Sequence, residues 1–123
     1  MTAAAPSCDP RPFLEAIDDD RVAYAEMVDL FRDTGRAQIE RLVAASRDGD
    51  LGRLRESLHA LNGSLAIVNA GPALALTRRL HLALGGGDRR ELIALAERLG
   101  PEFERVCREL DRWCPAYAVG ERP

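Results

Sequence analysis

An all-α fold is what this sequence predicts, and three observations carry the prediction. Leu, Ala, Arg and Glu, all strong helix formers, dominate the 123 residues, and almost no stretch alternates as a half-buried strand would. Apolar residues instead recur in steps of three and four, the spacing that lines side chains up on one helix face. Short breaks rich in Gly, Asp, Asn and Pro separate these periodic stretches. Four long helices with such short links pack most simply as an up-down-up-down four-helix bundle, here with a short N-terminal helix covering one end.

Residues 1–8 are small and polar and are expected to be disordered. Asp9-Pro10 then offers a cap and a proline suited to a first helical turn, and Phe13, Leu14 and Ile17 give a short helix one apolar side. A helix this short is marginal alone, so its expected place is over the end of the bundle. Asp18-Asp19-Asp20 puts negative charge at the positive end of the first long helix, predicted over 20–47. Its apolar positions are Tyr24, Val28, Phe31, Ile39 and Leu42. Gly35 interrupts it without breaking phase, which predicts a close contact or slight bend there unless the glycine is merely tolerated, and Gly49 closes the helix.

The second long helix, 50–68, is the one around which the chain is organised. Leu51, Leu54, Leu58, Leu61, Leu65 and Val68 form a core seam, Asp50 can cap the first turn, and Asn69 tolerates the left-handed conformation that often ends a helix. Round the helix from this seam runs a second stripe of Gly52, Arg55, Glu56, His59, Asn62, Gly63 and Ala66, in which His59 is expected to be exposed. Gly63 lies one turn beyond His59, where glycine costs about 1 kcal/mol relative to alanine. Such a cost suggests close approach by something.

Asn69-Ala70-Gly71-Pro72 reads as a compact turn, with Pro72 opening a third helix that runs to about Leu84 and returns antiparallel. Gly85-Gly86-Gly87 reads as a flexible connection, since a phosphate-binding loop would need a preceding strand and a lysine. Asp88 caps a fourth helix whose positions Leu92, Leu95, Leu99, Phe103, Val106, Leu110 and Trp113 keep phase through Gly100-Pro101. Continuity of phase predicts one kinked helix; the roughly 3 kcal/mol that an interior proline can cost makes a break at Leu99 the competing reading. Cys114-Pro115 is the expected end, so the bundle spans 9–114 and residues 115–123 form a loose tail.

The net charge of −3 mixes both signs along the chain, with no basic block to hold nucleic acid or anionic lipid. There is no leader-like start and no apolar run approaching twenty residues, so a cytoplasmic protein with no membrane contact is expected. The initial Met and the disordered start favour a free-standing chain, expected to be a monomer. Cys8, Cys107 and Cys114 are odd in number and lack paired metal spacing. Cys107 and Cys114 stand two helical turns apart, about 10 Å and beyond disulfide reach, so all three read as reduced thiols. No nucleotide-binding loop is present, which excludes kinase activity, and no cofactor or metal is expected.

His59-Ala60-Leu61-Asn62-Gly63-Ser64 resembles the His-x-x-Lys-Gly signature of histidine-containing phosphotransfer (HPt) domains. These pass a phosphoryl group between receiver-domain aspartates in phosphorelays. Leu30-Phe31 upstream, Asp48-Gly49-Asp50 before the motif helix, the break near Asn69 to Gly71 and the stretch from Leu92 to Leu110 extend the resemblance over roughly residues 20 to 113. Asn62 departs from the signature, but every one of the seventeen basic residues is arginine, so the lysine is missing as part of a chain-wide absence.

The resemblance implies His59 as phosphoacceptor, with Asn62 and Gly63 completing the catalytic motif and Gly52, Arg55, Glu56 and Ala66 meeting the partner. That partner would be a response-regulator receiver or a hybrid sensor kinase. The chemistry agrees, because an exposed histidine with its ordinary pKa near 6.5 is a neutral nitrogen nucleophile at pH 7. Asn62 or Arg55 can donate to the phosphoryl oxygens, and Gly63 leaves room for an incoming loop. His81, in Leu80-His81 where many family members have Leu-Glu, reads as a surface or bundle-edge residue. Two further readings stand open besides a plain structural bundle. One is a silent HPt-like module that only binds receivers; the other is a metal-binding bundle built on Glu56-x-x-His59, the Glu-x-x-His arrangement of di-iron proteins.

Overall fold

Capping residues set where the helices start and stop. In the computed structural model, which describes residues 6–118, the helices are α1 (Arg11–Ala16), α2 (Arg21–Asp48), α3 (Leu51–Ile67), α4 (Gly71–Gly86) and α5 (Arg89–Ala118). No strand occurs among the described residues. Asp20 accepts the Ala23 N–H at 3.0 Å, Asp50 the Arg53 N–H at 3.1 Å, and Asp88 the Arg90 N–H at 3.1 Å, so each long helix that follows an aspartate has its first turn capped. Gly49 and Gly87 stop α2 and α4 at φ 71° and 72°, and Asn69 turns the chain out of α3 at φ 51°.

Packing follows the leucine phases. α2 lies against α3 and α5, and α4 against α3 and α5, so the four long helices close a ring around one core. Leu54, Leu58, Leu61, Leu65 and Val68 of the seam are buried, as are Tyr24, Val28, Phe31, Ile39 and Leu42 of α2 and Leu92 to Leu110 of the α5 set. Leu51 is the exception: at the first turn of α3 it is 39% exposed. The pairs Tyr24–Leu110, Arg36–Glu104 and Arg47–Glu97 join rising positions on α2 to falling positions on α5, so these two helices run antiparallel.

Gly35 makes the close contact its position suggests. A methyl group there would overlap the Phe103 ring, which also stacks on Phe31 with centroids 4.9 Å apart and planes 23° from parallel. A side chain at 35 would therefore push α2 and α5 apart.

Several boundaries differ from expectation, each for a local reason. Gly85 and Gly86 belong to α4 rather than to a loop, since glycine weakens a helix without ending it and only Gly87 takes the left-handed conformation. As the continuous phase predicts, α5 passes unbroken through Gly100-Pro101, with Pro101 exposed while Leu99 and Phe103 on either side are buried. It also continues past Cys114-Pro115 to Ala118, because a proline forfeits one backbone bond without having to reverse the chain. α1 begins one residue later than expected. Pro10 takes the cap position, and the Asp9 carboxylate instead accepts the Arg11 N–H at 3.1 Å and its guanidinium at 2.8 Å.

The start of the chain is the largest departure. Ser7 and Cys8, expected to be disordered, are buried, and their backbone N–H groups donate to the Glu109 carboxylate at 2.8 and 3.2 Å. Asp9 then donates to the Val68 carbonyl at 2.8 Å, and the Asn69 side chain to the Asp9 carbonyl at 3.1 Å. This strap leads into α1, where Leu14 is buried and Phe13 and Ile17 pack against the core. The expectations for residues 1–5 and 119–123 fall outside the described residues.

Candidate functional site

α3 and α4 present matching rows of side chains to each other. Arg55, Leu58, His59 and Asn62 stand at steps of three, one and three on α3; Leu74, Thr77, Arg78 and His81 repeat those steps on α4. At helical periodicity each set forms one stripe, and together they line a cleft of about 490 Å³. Leu58 is buried and Leu74 half-buried, so the cleft has an apolar floor, while His59, Asn62, Arg78 and His81 are exposed. One polar bond crosses between the walls: the Thr77 hydroxyl donates to the Asn62 side-chain oxygen at 2.6 Å. The same hydroxyl lies 2.8 Å from the Leu74 carbonyl.

The cleft is cationic in a chain that is acidic overall. None of its lining residues is Asp or Glu, although the protein carries a net charge of −3. Among the described residues Arg55 and Arg78 have no ion-pair or side-chain hydrogen-bond partner, whereas Arg32, Arg36 and Arg47 on the far side are held by Asp111, Glu104 and Glu97. Two arginines without such a partner thus line the cleft that holds His59.

The stripe expected round His59 is exposed throughout, but the structure divides it. Arg55, His59 and Asn62 enter the cleft. Glu56 opens instead to the α2 side, beside Gln38, Arg41, Arg53 and Ser57. Gly52 sits at the helix start, where an added methyl group would lie 3.7 Å from the Asp50 carboxylate. Gly63 and Ala66 continue the exposed surface one and two turns beyond His59, and no atom stands within 4 Å of where a side chain at 63 would begin. Gly63 is therefore not required by any contact within the protein.

Of the α4 wall the sequence singles out only His81, as a surface or bundle-edge residue; Leu74, Thr77 and Arg78 read only as part of a third helix. His81 is at the surface as expected, yet it also shares the cleft with His59, and Thr77 and Arg78 lie beside it. The signal was available in the repeated spacing of 74, 77, 78 and 81. The cysteines are remote in kind from this site. Burial, then the nearby Glu109 charge, pushes the Cys8 thiol up to about 12, and burial pushes Cys107 up to about 11. Both are free thiols held protonated at neutral pH; the Cys114 side chain falls outside what is described.

A helical ring with an exposed histidine on its second long helix, one turn before an open glycine, is the arrangement the signature calls for. A family model, the Hpt domain, matches residues 26–115. The chain belongs to the Hpt domain family. The match takes in α3 and α4 and most of α2 and α5, leaving α1 and the N-terminal strap outside it. Hpt domains work with response-regulator receivers in phosphorelays. No curated protein and no solved structure matches this Hpt domain. Among its described residues no helix is long and apolar enough to cross a membrane.

Proposed function

We propose that this Hpt domain accepts a phosphoryl group on His59 from a receiver-domain aspartate and passes it to a second receiver. The observation that carries the reading is the exposed His59 at the edge of an acid-free cleft, in the signature position of a matched Hpt sequence. A ring nitrogen of His59 attacks phosphorus in line, the aspartyl O–P bond breaks, and the carboxylate leaves with the electron pair. The return step reverses this: a second aspartate's carboxylate attacks phosphorus, the N–P bond breaks, and its electron pair returns to the imidazole nitrogen. The receiver brings most of the charge stabilisation that phosphoryl transfer requires, so the Hpt side needs one nucleophile, rigidly held.

The up-down-up-down course of the four long helices provides that rigidity, because short links hold α3 and α4 side by side. On this reading a receiver docks over the α3–α4 face, meeting Gly63 and Ala66 with an apolar patch and Arg55 at its edge, while Gly52 and Glu56 lie at the margin. The setting is cytoplasmic and the Hpt domain acts as a monomer. The Glu56-x-x-His59 arrangement does not favour a metal site, since the two side chains open to different sides of α3.

The test is incubation with phosphorylated receivers from the same organism, following acid-labile, base-stable label. Wild type should take up label and His59→Gln should take up none while keeping its helical content. One observation favours a module that only binds receivers: Asn62, where the signature has lysine, is tied to Thr77. Binding of a receiver without any label on wild type would establish that alternative.

A further inference from the structure

We propose that Arg78, on α4, supplies the cationic hydrogen-bond donor for a phosphoryl group carried on His59. This rests on His59 being the acceptor and adds the residue that holds the group once it has arrived. A phosphoryl group brings a charge of about −1.5 to −2 at neutral pH and three acceptor oxygens. The α3 motif offers it no cation: Gly63 has no side chain, and Asn62, held through its oxygen by Thr77, has only a neutral amide N–H to donate.

Register identifies what α4 brings. The link from α3 to α4 is only Val68 to Ala70, so two helices packed side by side across it run antiparallel. The Thr77–Asn62 bond then fixes their alignment. One turn back along α3, at His59, meets one turn forward along α4, at His81, and Arg78 stands level with Asn62. An arginine thus occupies the opposite wall at the height where the signature puts its lysine. Arg78 is exposed and has no partner among the described residues, lines the same cleft as His59, and has no carboxylate lining that cleft to compete for it. The guanidinium fork suits two phosphoryl oxygens at once. Besides His59, which carries the phosphoryl, the ionisable groups lining the cleft are Arg55 from α3 and Arg78 and His81 from α4. Arg55 shares the wall with His59, one turn away, and the oxygens reaching across the cleft face α4.

The experiment uses phosphoramidate as the donor, so that no receiver enters. Attack by the imidazole breaks its P–N bond and releases ammonia. Phosphorus NMR then follows the phosphoryl titration in wild type, Arg78→Gln, Arg78→Lys and Arg55→Gln, with His59→Gln to assign the signal. A nearby cation lowers an acid's pKa by about 1–3 units, so Arg78→Gln should raise the phosphoryl pKa by about 1 unit, and Arg78→Lys should restore part of the shift. Arg55→Gln should move it less. A phosphoryl pKa that Arg78→Gln leaves unchanged, or that Arg55→Gln moves as far, overturns the Arg78 assignment while leaving His59 as acceptor. Absence of label on His59 in wild type overturns both.

Discussion

Thr77 on α4 reaches Asn62 on α3 across 2.6 Å, and this bond decides what the signature's missing lysine has become. Asn62 is a strut between the two walls of the cleft, joined through its oxygen, and its amide N–H groups are neutral donors where the signature has a cation. Thr77→Val keeps the shape of the side chain and removes its hydroxyl. It should lower stability in urea by about 0.5–1.5 kcal/mol, the usual net worth of such a bond. Label on His59 should persist. Loss of label with unchanged stability would mean that the Thr77 hydroxyl acts on the phosphoryl group itself.

Two helical glycines should respond in opposite ways to the same substitution. Gly35→Ala forces its methyl group into the Phe103 ring and should cost about 1–3 kcal/mol, as overpacking does. Gly63→Ala meets open space and should stabilise the protein by up to about 1 kcal/mol, because alanine is the better helix former. A bulky residue at 63 should weaken transfer from a receiver while leaving the melting temperature nearly unchanged. Equal loss of fold and transfer would make Gly63 a packing residue after all. Urea melts of the two alanine variants decide the first contrast, and a receiver transfer assay the second.

Along the α3 seam, truncation should cost what burial implies. Leu58→Ala and Leu61→Ala, 4% and 0% exposed, should each lose about 2–5 kcal/mol. Leu51→Ala, at 39%, should lose less than about 0.5 kcal/mol.

Those leucines show why the core was legible and the cleft only half so. A three-four repeat is a property of one segment, so the seam and the burial of α2 and α5 follow from spacing alone. His59 was found because a nucleophile and a glycine one turn later share a helix. Thr77 and Arg78 matter only through what α3 places opposite them, and register between helices is written in no single segment. Ser7 and Cys8 escaped for a similar reason. Their order comes from Glu109, about a hundred residues away in sequence, whose carboxylate accepts both backbone N–H groups.

The N-terminal strap predicts an alkaline weakness. The Cys8 thiol, buried beside Glu109, is pushed from 9.0 up to about 12. Below about pH 9 both the folded and unfolded states hold the proton, so the thiol contributes no pH dependence there. Between about pH 9 and 12 the unfolded chain releases it while the folded protein keeps it, and stability falls as pH rises. Cys8→Ala should flatten this part of the stability profile in melts from pH 8 to 11. In wild type, the Cys8 thiol should resist alkylation at pH 8 until the protein unfolds.

The final prediction joins the two positions that share a height in the cleft. If Arg78 already holds the phosphoryl group, a second cation at position 62 has little left to do in wild type. In Arg78→Gln the same lysine meets an uncompensated phosphoryl charge. Asn62→Lys should therefore raise the phosphohistidine lifetime modestly in wild type and by about tenfold in the Arg78→Gln background, restoring it towards the parent value. Substitutions that contact one group couple in this way, whereas independent sites add. Asn62→Lys also releases Thr77, which keeps the Leu74 carbonyl at 2.8 Å, so the fold should tolerate the change in both backgrounds. Equal effects of Asn62→Lys on lifetime in the two backgrounds would show that positions 62 and 78 do not meet on one phosphoryl group, and that the cleft's positive charge acts only as a diffuse field.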